Sequence, residues 1–361
     1  MRGPLSCVAT VHRPGALPGD PDPYSGPDSF TFVRVRLRDR DGVTGEGFTG
    51  RFLAAEVAGF LNGAVRAALD VPEVPTTSAL MRRVNPRGMT GVVVSALSAL
   101  DVALADLAAT RAGVSLAAQL GGRRVSAPVH VTCGFPALDT GALVEVCARE
   151  VAGGARGVKV LIAARGRSVA EDVARLRAVR DAIGPQAELI ADANCGMDLE
   201  TARDFVRAAA DLDLAWLEEP VLGNDRHALA DLARMGVMPL GAGQMEQSTE
   251  RFDLLTEAGV QVLQPNAVFA GGVAAAVDVA RRAQGQGRQV APGGGWDFVN
   301  LHWVCGAMEQ GGIELHRAQA RIARLLLPDP LRIVDGALCL PDGPGLGLCP
   351  DEEALAACRV L

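Results

Sequence analysis

Three oxygen-bearing side chains recur at one interval: Asp192, Glu218 and Gln244 are spaced 26 and 26 residues apart. Each follows a short apolar run. Asp192 opens Asp192-Ala193-Asn194, Glu218 opens Glu218-Glu219-Pro220, and Gln244 closes Gly241-Ala242-Gly243-Gln244. The interval is that of one strand–helix unit, so the three stand at one level of adjacent strands and converge. Hard oxygen ligands at such a point suit Mg2+. Gln244 offers a carbonyl without charge, so the expected site is weak or absent. Glu246 would replace it only if its loop shifted by two residues. Asn194 is expected to face substrate.

A second signal is scarcity. Of 35 basic residues only Lys159 is a lysine. Arginine stays protonated and presents a wide planar fork, whereas lysine is a compact charge that can lose its proton when desolvated. A chain that has moved so far towards arginine keeps a lysine where arginine cannot serve.

The elements that must position these residues are legible by period. Phe30 to Arg38 alternates apolar and basic residues and predicts a half-buried strand, and Val43 to Phe48 returns after the Asp41-Gly42 turn. Leu53 to Leu69 and Val92 to Thr110 read as helices, and Pro14 to Pro27 as a loop. From about residue 127 short apolar runs alternate with amphipathic helices. The runs are Val129–Thr132, Val158–Ile162, Leu189–Ala191, Ala215–Leu217, Met238–Leu240, Val260–Leu263, Gln289–Ala291 and Gly312–Leu315. Eight parallel strand–helix units predict a (β/α)8 barrel, with chemistry at the strands' C-terminal ends.

Composition narrows the function class. A net charge of −7 argues against nucleic acid or an anionic membrane as partner. Val92 to Ala109 is interrupted by Asp101 and Asp106 and reads as too short and too charged to span a bilayer. Eight scattered cysteines form no CxxC pair and read as reduced thiols of a cytoplasmic protein. The N-terminal stretch lacks the apolar core of a signal peptide.

The chain resembles the mandelate racemase/muconate lactonising branch of the enolase superfamily. The likeness is carried by residues 95–122 (SALSALDVALADLAATRAGVSLAAQLGG), ADAN at 191–194, WLEEP at 216–220, LQPNAVFAGGV at 263–273 and PDGPGLG at 341–347. It implies an N-terminal α+β capping domain over 1–126, a barrel over 127–325, and a C-terminal segment over 326–361 packed back on the cap. It also implies a homo-oligomer.

Site residues carry over unevenly. GARGVKVLI at 154–162 matches the segment that ends in the family's lysine pair, with Lys159 on the first lysine and Leu161 on the second, the usual base. Asp192 and Glu218 match two metal ligands, and Gln244 stands on a third that is normally a carboxylate. Asn266 replaces the Asp that orients a histidine, and Gly293 or Gly294 replaces that histidine. Glu314 matches an acidic residue at the end of strand eight. His316, two residues on, shares its side and is a candidate replacement acid/base. Asp297, in the rebuilt loop, and Asn266 are expected at the substrate. Arg51 lies on a cap loop that leans over the mouth in this family, where it could clamp a carboxylate.

These implications amount to a Mg2+-assisted lyase (dehydratase) or isomerase. It would act by α-proton chemistry on a small carboxylate such as a sugar acid, through an atypical site. The alternative is a catalytically silent or repurposed homologue that binds a small ligand.

Overall fold

The computed structural model describes residues 3–15, 30–84 and 91–361. Residues 16–27 of the expected loop lie outside them. The first strands form a three-stranded antiparallel sheet, β1 (Ser6–His12), β2 (Phe32–Arg38) and β3 (Thr44–Thr49), in that order. Val33, Val35 and Leu37 of β2 are fully buried, as their alternation requires. The opposite face is open to water only at its far end, where Arg36 is partly exposed and Arg38 exposed. Arg34 is 5% exposed, because Glu46 and the C-terminal Glu352 cover it.

The helix Val92–Ala112 lies directly on β3. Gly45 and Gly47 permit this approach, since a Cβ would come within 2.3 Å of the Ala103 carbonyl and 1.9 Å of the Ala99 carbonyl. At 21 residues the helix is longer than expected, and by length and composition it could span a membrane. It is instead packed inside the protein. Its two aspartates are used structurally: Asp101 accepts from Thr77 Oγ1 (2.6 Å), and Asp106 from the backbone N–H groups of Glu46 and Leu346 (both 2.7 Å).

The second unit is a parallel barrel of eight strands. These are β4 (Ser126–Gly134), β5 (Gly157–Leu161), β6 (Glu188–Asp192), β7 (Trp216–Glu218), β8 (Leu240–Ala242), β9 (Val262–Leu263), β10 (Gln289–Val290) and β11 (Ile313–His316). From β4 to β10 they pair in chain order, and β11 pairs with β4 on its other side. The fifth begins two residues later than its apolar run, because Pro239 has no N–H for the ladder and gives only its carbonyl, to Leu217 N. The helices between them start on side-chain caps, including Asp139, Asp198, Asp225, Ser248 and a Ser168–Glu171 capping box.

After residue 326 the chain forms a hairpin, β12 (Ile333–Val334) and β13 (Ala337–Cys339), that pairs antiparallel with the start of β4. The helix Glu352–Ala357 then reaches the cap, where Glu352 meets Arg34 at 2.7 Å and also Arg36. Those arginines hold the Glu352 carboxyl down to about 2. A depressed folded-state value stabilises the fold above the ordinary 4.5, and the contribution is lost as pH falls towards 2. Glu352 is more than half exposed, so Glu352→Gln should cost only about 0.5–1 kcal/mol at pH 7. Thermal melts of both proteins should converge below pH 4.5. A gap that persists or widens in acid would exclude this ion pair as its cause.

Candidate active site

Parallel register sets the level of the site. Leu161, Asp192 and Glu218 are cross-strand partners in one row on β5, β6 and β7. Lys159 lies two residues before Leu161, on the same side of β5. Its Nζ lies 2.5 Å from Glu218 Oε1, 2.8 Å from Glu314 Oε1 and 3.3 Å from Asp192 Oδ2. All four side chains are at most 4% exposed. With all three carboxylates ionised, the one ammonium leaves the centre a formal charge of −2.

The remaining oxygens are held by protein donors. Asn194 N donates to Asp192 Oδ1 (2.8 Å), Trp216 Nε1 to Glu218 Oε2 (3.0 Å) and Gly295 N to Glu314 Oε2 (2.8 Å). Thr132 Oγ1 donates to Glu314 Oε1. The Trp216 indole reaches Glu218 because position 241 is glycine; a Cβ there would come 2.5 Å from the indole ring.

Electrostatics follow from this crowding. Burial alone would lower the Lys159 ammonium, but Glu218, Glu314 and Asp192 raise it well above the usual lysine value. Burial pushes Glu218 up to about 8 and raises Asp192, with Lys159 opposing both shifts. A single positive charge cannot satisfy three carboxylates, and the site calls for further positive charge.

Gln244 is anchored by its nitrogen. Nε2 donates to Glu219 Oε2 (2.6 Å) and to Asn194 Oδ1 (3.4 Å). Its carbonyl is left on the side of Gly294, where a Cβ would lie 3.2 Å from Oε1. Glu246 is not a substitute, because Arg251 (2.8 Å) and Asn224 (3.2 Å) hold it. Among the described residues no three His, Cys, Asp or Glu side chains form a metal-binding group. Gln244 would bring an amide carbonyl in place of a third carboxylate. Two carboxylates, that carbonyl and the formal charge of −2 fit a divalent cation.

Other expected residues divide. Arg51, Asn194, Gln244, Lys159, Glu314 and His316 all line a cavity of about 170 Å3 over the row, and Leu161 lines it with them. Arg51 is exposed at its lip, 5.1 Å from the Phe52 ring centre. His316 is 9% exposed, and its Nδ1 has no hydrogen-bond partner among the described residues. Burial lowers its basicity, so the ring is neutral.

Two expectations need correction. Asn266 does not face the cavity: its amide donates to the carbonyls of Gly293 (2.7 Å) and Gly295 (3.2 Å), whose loop would otherwise carry unpaired groups. Asp297 is buried and accepts from Phe298 N (2.9 Å) and His316 N (3.3 Å), so it fixes backbone rather than substrate. Thr132, Trp216 and Glu219 are site residues the sequence reading missed. Glu219 was visible in WLEEP, but its grip on Gln244 depends on a turned backbone at φ 40°.

Residues 142–354 match the enolase C-terminal domain-like family, and residues 26–121 match the mandelate racemase/muconate lactonizing enzyme N-terminal domain. The chain belongs to the mandelate racemase/muconate lactonizing enzyme family. Within that family it is 30% identical to 3,6-anhydro-alpha-L-galactonate cycloisomerase of Streptomyces coelicolor, over 92% of each chain. It is 31% identical to L-talarate/galactarate dehydratase of Salmonella typhimurium, over 89% of this chain and 81% of that one. A racemase from Streptomyces coelicolor A3(2), crystallised with bound magnesium, superposes with a TM-score of 0.87 at 26% identity, covering 99% of this chain and all of that one. The capped barrel is thus the family fold.

Proposed function

We propose that this family member is a magnesium-assisted dehydratase or isomerase acting by α-proton chemistry on a small carboxylate of the sugar-acid class. The observation that carries the reading is the buried centre of Lys159, Asp192, Glu218 and Glu314, three carboxyl groups around one ammonium, whose excess of acidic groups a divalent ion offsets. The relatives support it, since they act on galactonate- and galactarate-type acids and one structure holds magnesium. The replaced bases at Leu161 and Gly293 or Gly294 and the neutral Gln244 are what a catalytically silent homologue would show, whereas the kept Lys159, Asp192, Glu218 and Glu314 and the named relatives support the enzyme.

Asp192, Glu218 and the Gln244 carbonyl would hold Mg2+. When bound, it supplies a Lewis acid that draws charge from the substrate carboxylate. Lys159 donates a hydrogen bond to a substrate oxygen at the cavity floor. Glu314 keeps that ammonium in place (2.8 Å). His316 presents a neutral ring with an unpartnered Nδ1 and serves as the acid or base that moves a proton. Arg51 at the lip and Asn194 beside Gln244 orient the far end of the substrate. The eight free cysteines support a cytoplasmic setting, and the family resemblance supports a homo-oligomer.

The metal site is read as weak, because its third donor is neutral. Gln244→Glu should tighten Mg2+ binding about tenfold by adding a charge. Calorimetric titration of both proteins checks this; equal affinity, or tighter binding by the native protein, would remove Gln244 from the site.

Racemisation is not expected. It requires bases on both faces of the α-carbon, and the two usual positions hold Leu161 and a glycine. Candidate α-hydroxy acids incubated in D2O should show no inversion by NMR. Exchange with full inversion would reveal an unrecognised base.

A further inference from the structure

The magnesium reading leaves one conflict in the geometry. Asp192 and Glu218 each have one oxygen committed to a protein donor, Asp192 Oδ1 to Asn194 N and Glu218 Oε2 to Trp216 Nε1. The other oxygen of each, Asp192 Oδ2 and Glu218 Oε1, accepts from no backbone or indole donor and is the less encumbered one for a metal ion. Those are the two oxygens that Lys159 Nζ contacts, at 3.3 and 2.5 Å. A divalent ion about 2.1 Å from Glu218 Oε1 would stand within about 5 Å of an ammonium 2.5 Å from the same atom. The two cations would share one buried carboxylate oxygen with no water between them to screen their repulsion.

We infer that Lys159 is a built-in competitor of the metal: its ammonium occupies the metal-facing oxygens, and a divalent ion enters by displacing it onto Glu314. The displaced group has a place to go. Glu314 Oε1 lies 2.8 Å from Nζ, and the cavity above is open to the side chain. Glu314 is itself positioned by Gly295 N and Thr132 Oγ1, so it offers a fixed acceptor that the metal does not use. Metal affinity is then set by two residues: Gln244, which withholds a charge, and Lys159, which must leave two oxygens. This rests on the magnesium reading and adds a control over how the ion is loaded.

Two substitutions separate displacement from simple charge. Lys159→Met removes the competitor and one positive charge. Trp216→Phe keeps the lysine and every charge but frees Glu218 Oε2, an oxygen Lys159 does not hold. Calorimetric titration with MgCl2, and with MnCl2 as a second probe, should show at least about tenfold tighter binding for Lys159→Met and about threefold or more for Trp216→Phe. The melting temperature gives an independent readout: 10 mM MgCl2 should raise it more in Lys159→Met than in the native protein, because three buried carboxylates are left without a cation. Should Lys159→Met fail to fold without metal, Trp216→Phe still decides the matter. If Lys159→Met binds no tighter than the native protein, or if it alone tightens and Trp216→Phe is unchanged, displacement is wrong while the magnesium reading stands. If none of the three proteins binds either ion, both fall together.

Discussion

Lys159→Arg is expected to lower turnover at least about a hundredfold, the scale of loss when a catalytic group is misplaced by about 1 Å. The side chain is 1% exposed, and its ammonium touches Glu218, Glu314 and Asp192 at once. Those three acceptors surround a point, and a planar guanidinium cannot meet them without pushing one strand end aside. The wider group also crowds the three strand ends that surround the ammonium, at a cost of about 1–3 kcal/mol. Charge is conserved in this substitution, so any loss reports shape rather than electrostatics. The measurement is kcat/KM on a sugar acid that the native protein turns over, beside a melting curve. A folded, fully active arginine variant would make the single lysine an accident of composition.

The sequence carried the row of chemistry because that row is periodic. Asp192, Glu218 and Gln244 recur at the length of one strand–helix unit, and the barrel turns equal spacing into equal height. Scarcity pointed to Lys159 without any structural knowledge. Contacts that depend on side-chain direction were not legible. Asn266 and Asp297 lie in the right loops, yet both turn to backbone groups that the glycine-rich stretch Gly293–Gly295 and the start of the next helix leave unpaired. No residue type announces that need in advance. Trp216 was hidden for a related reason: its reach to Glu218 requires a glycine on the neighbouring strand, a relation between positions 216 and 241 that only register reveals. The basic face of β2 looked solvated because Glu352, which covers it, lies 318 residues beyond Arg34.

Leu161→Lys should speed α-proton exchange beyond what the native chain performs. Leu161 stands in the row with Asp192, 3% exposed, on the cavity wall. Its apolar neighbours are Phe30, Phe135 and Ala318. An amine placed there is stripped of water, which disfavours its charged form, and Lys159 two residues away on the same side disfavours it further. Both effects lower its pKa towards neutrality, where a lysine works as a base. The expected gain is about 10²–10⁴-fold in solvent exchange of a substrate α-proton, the usual worth of one positioned base. Incubating galactarate with each protein in D2O and following the α-proton by NMR measures it. Exchange should proceed without inversion, because Gly294 still offers no side chain on the other wall. A folded Leu161→Lys protein that exchanges no faster than the native chain would mean that Leu161 does not face the α-carbon, and the carboxylate would then have to be seated elsewhere in the cavity.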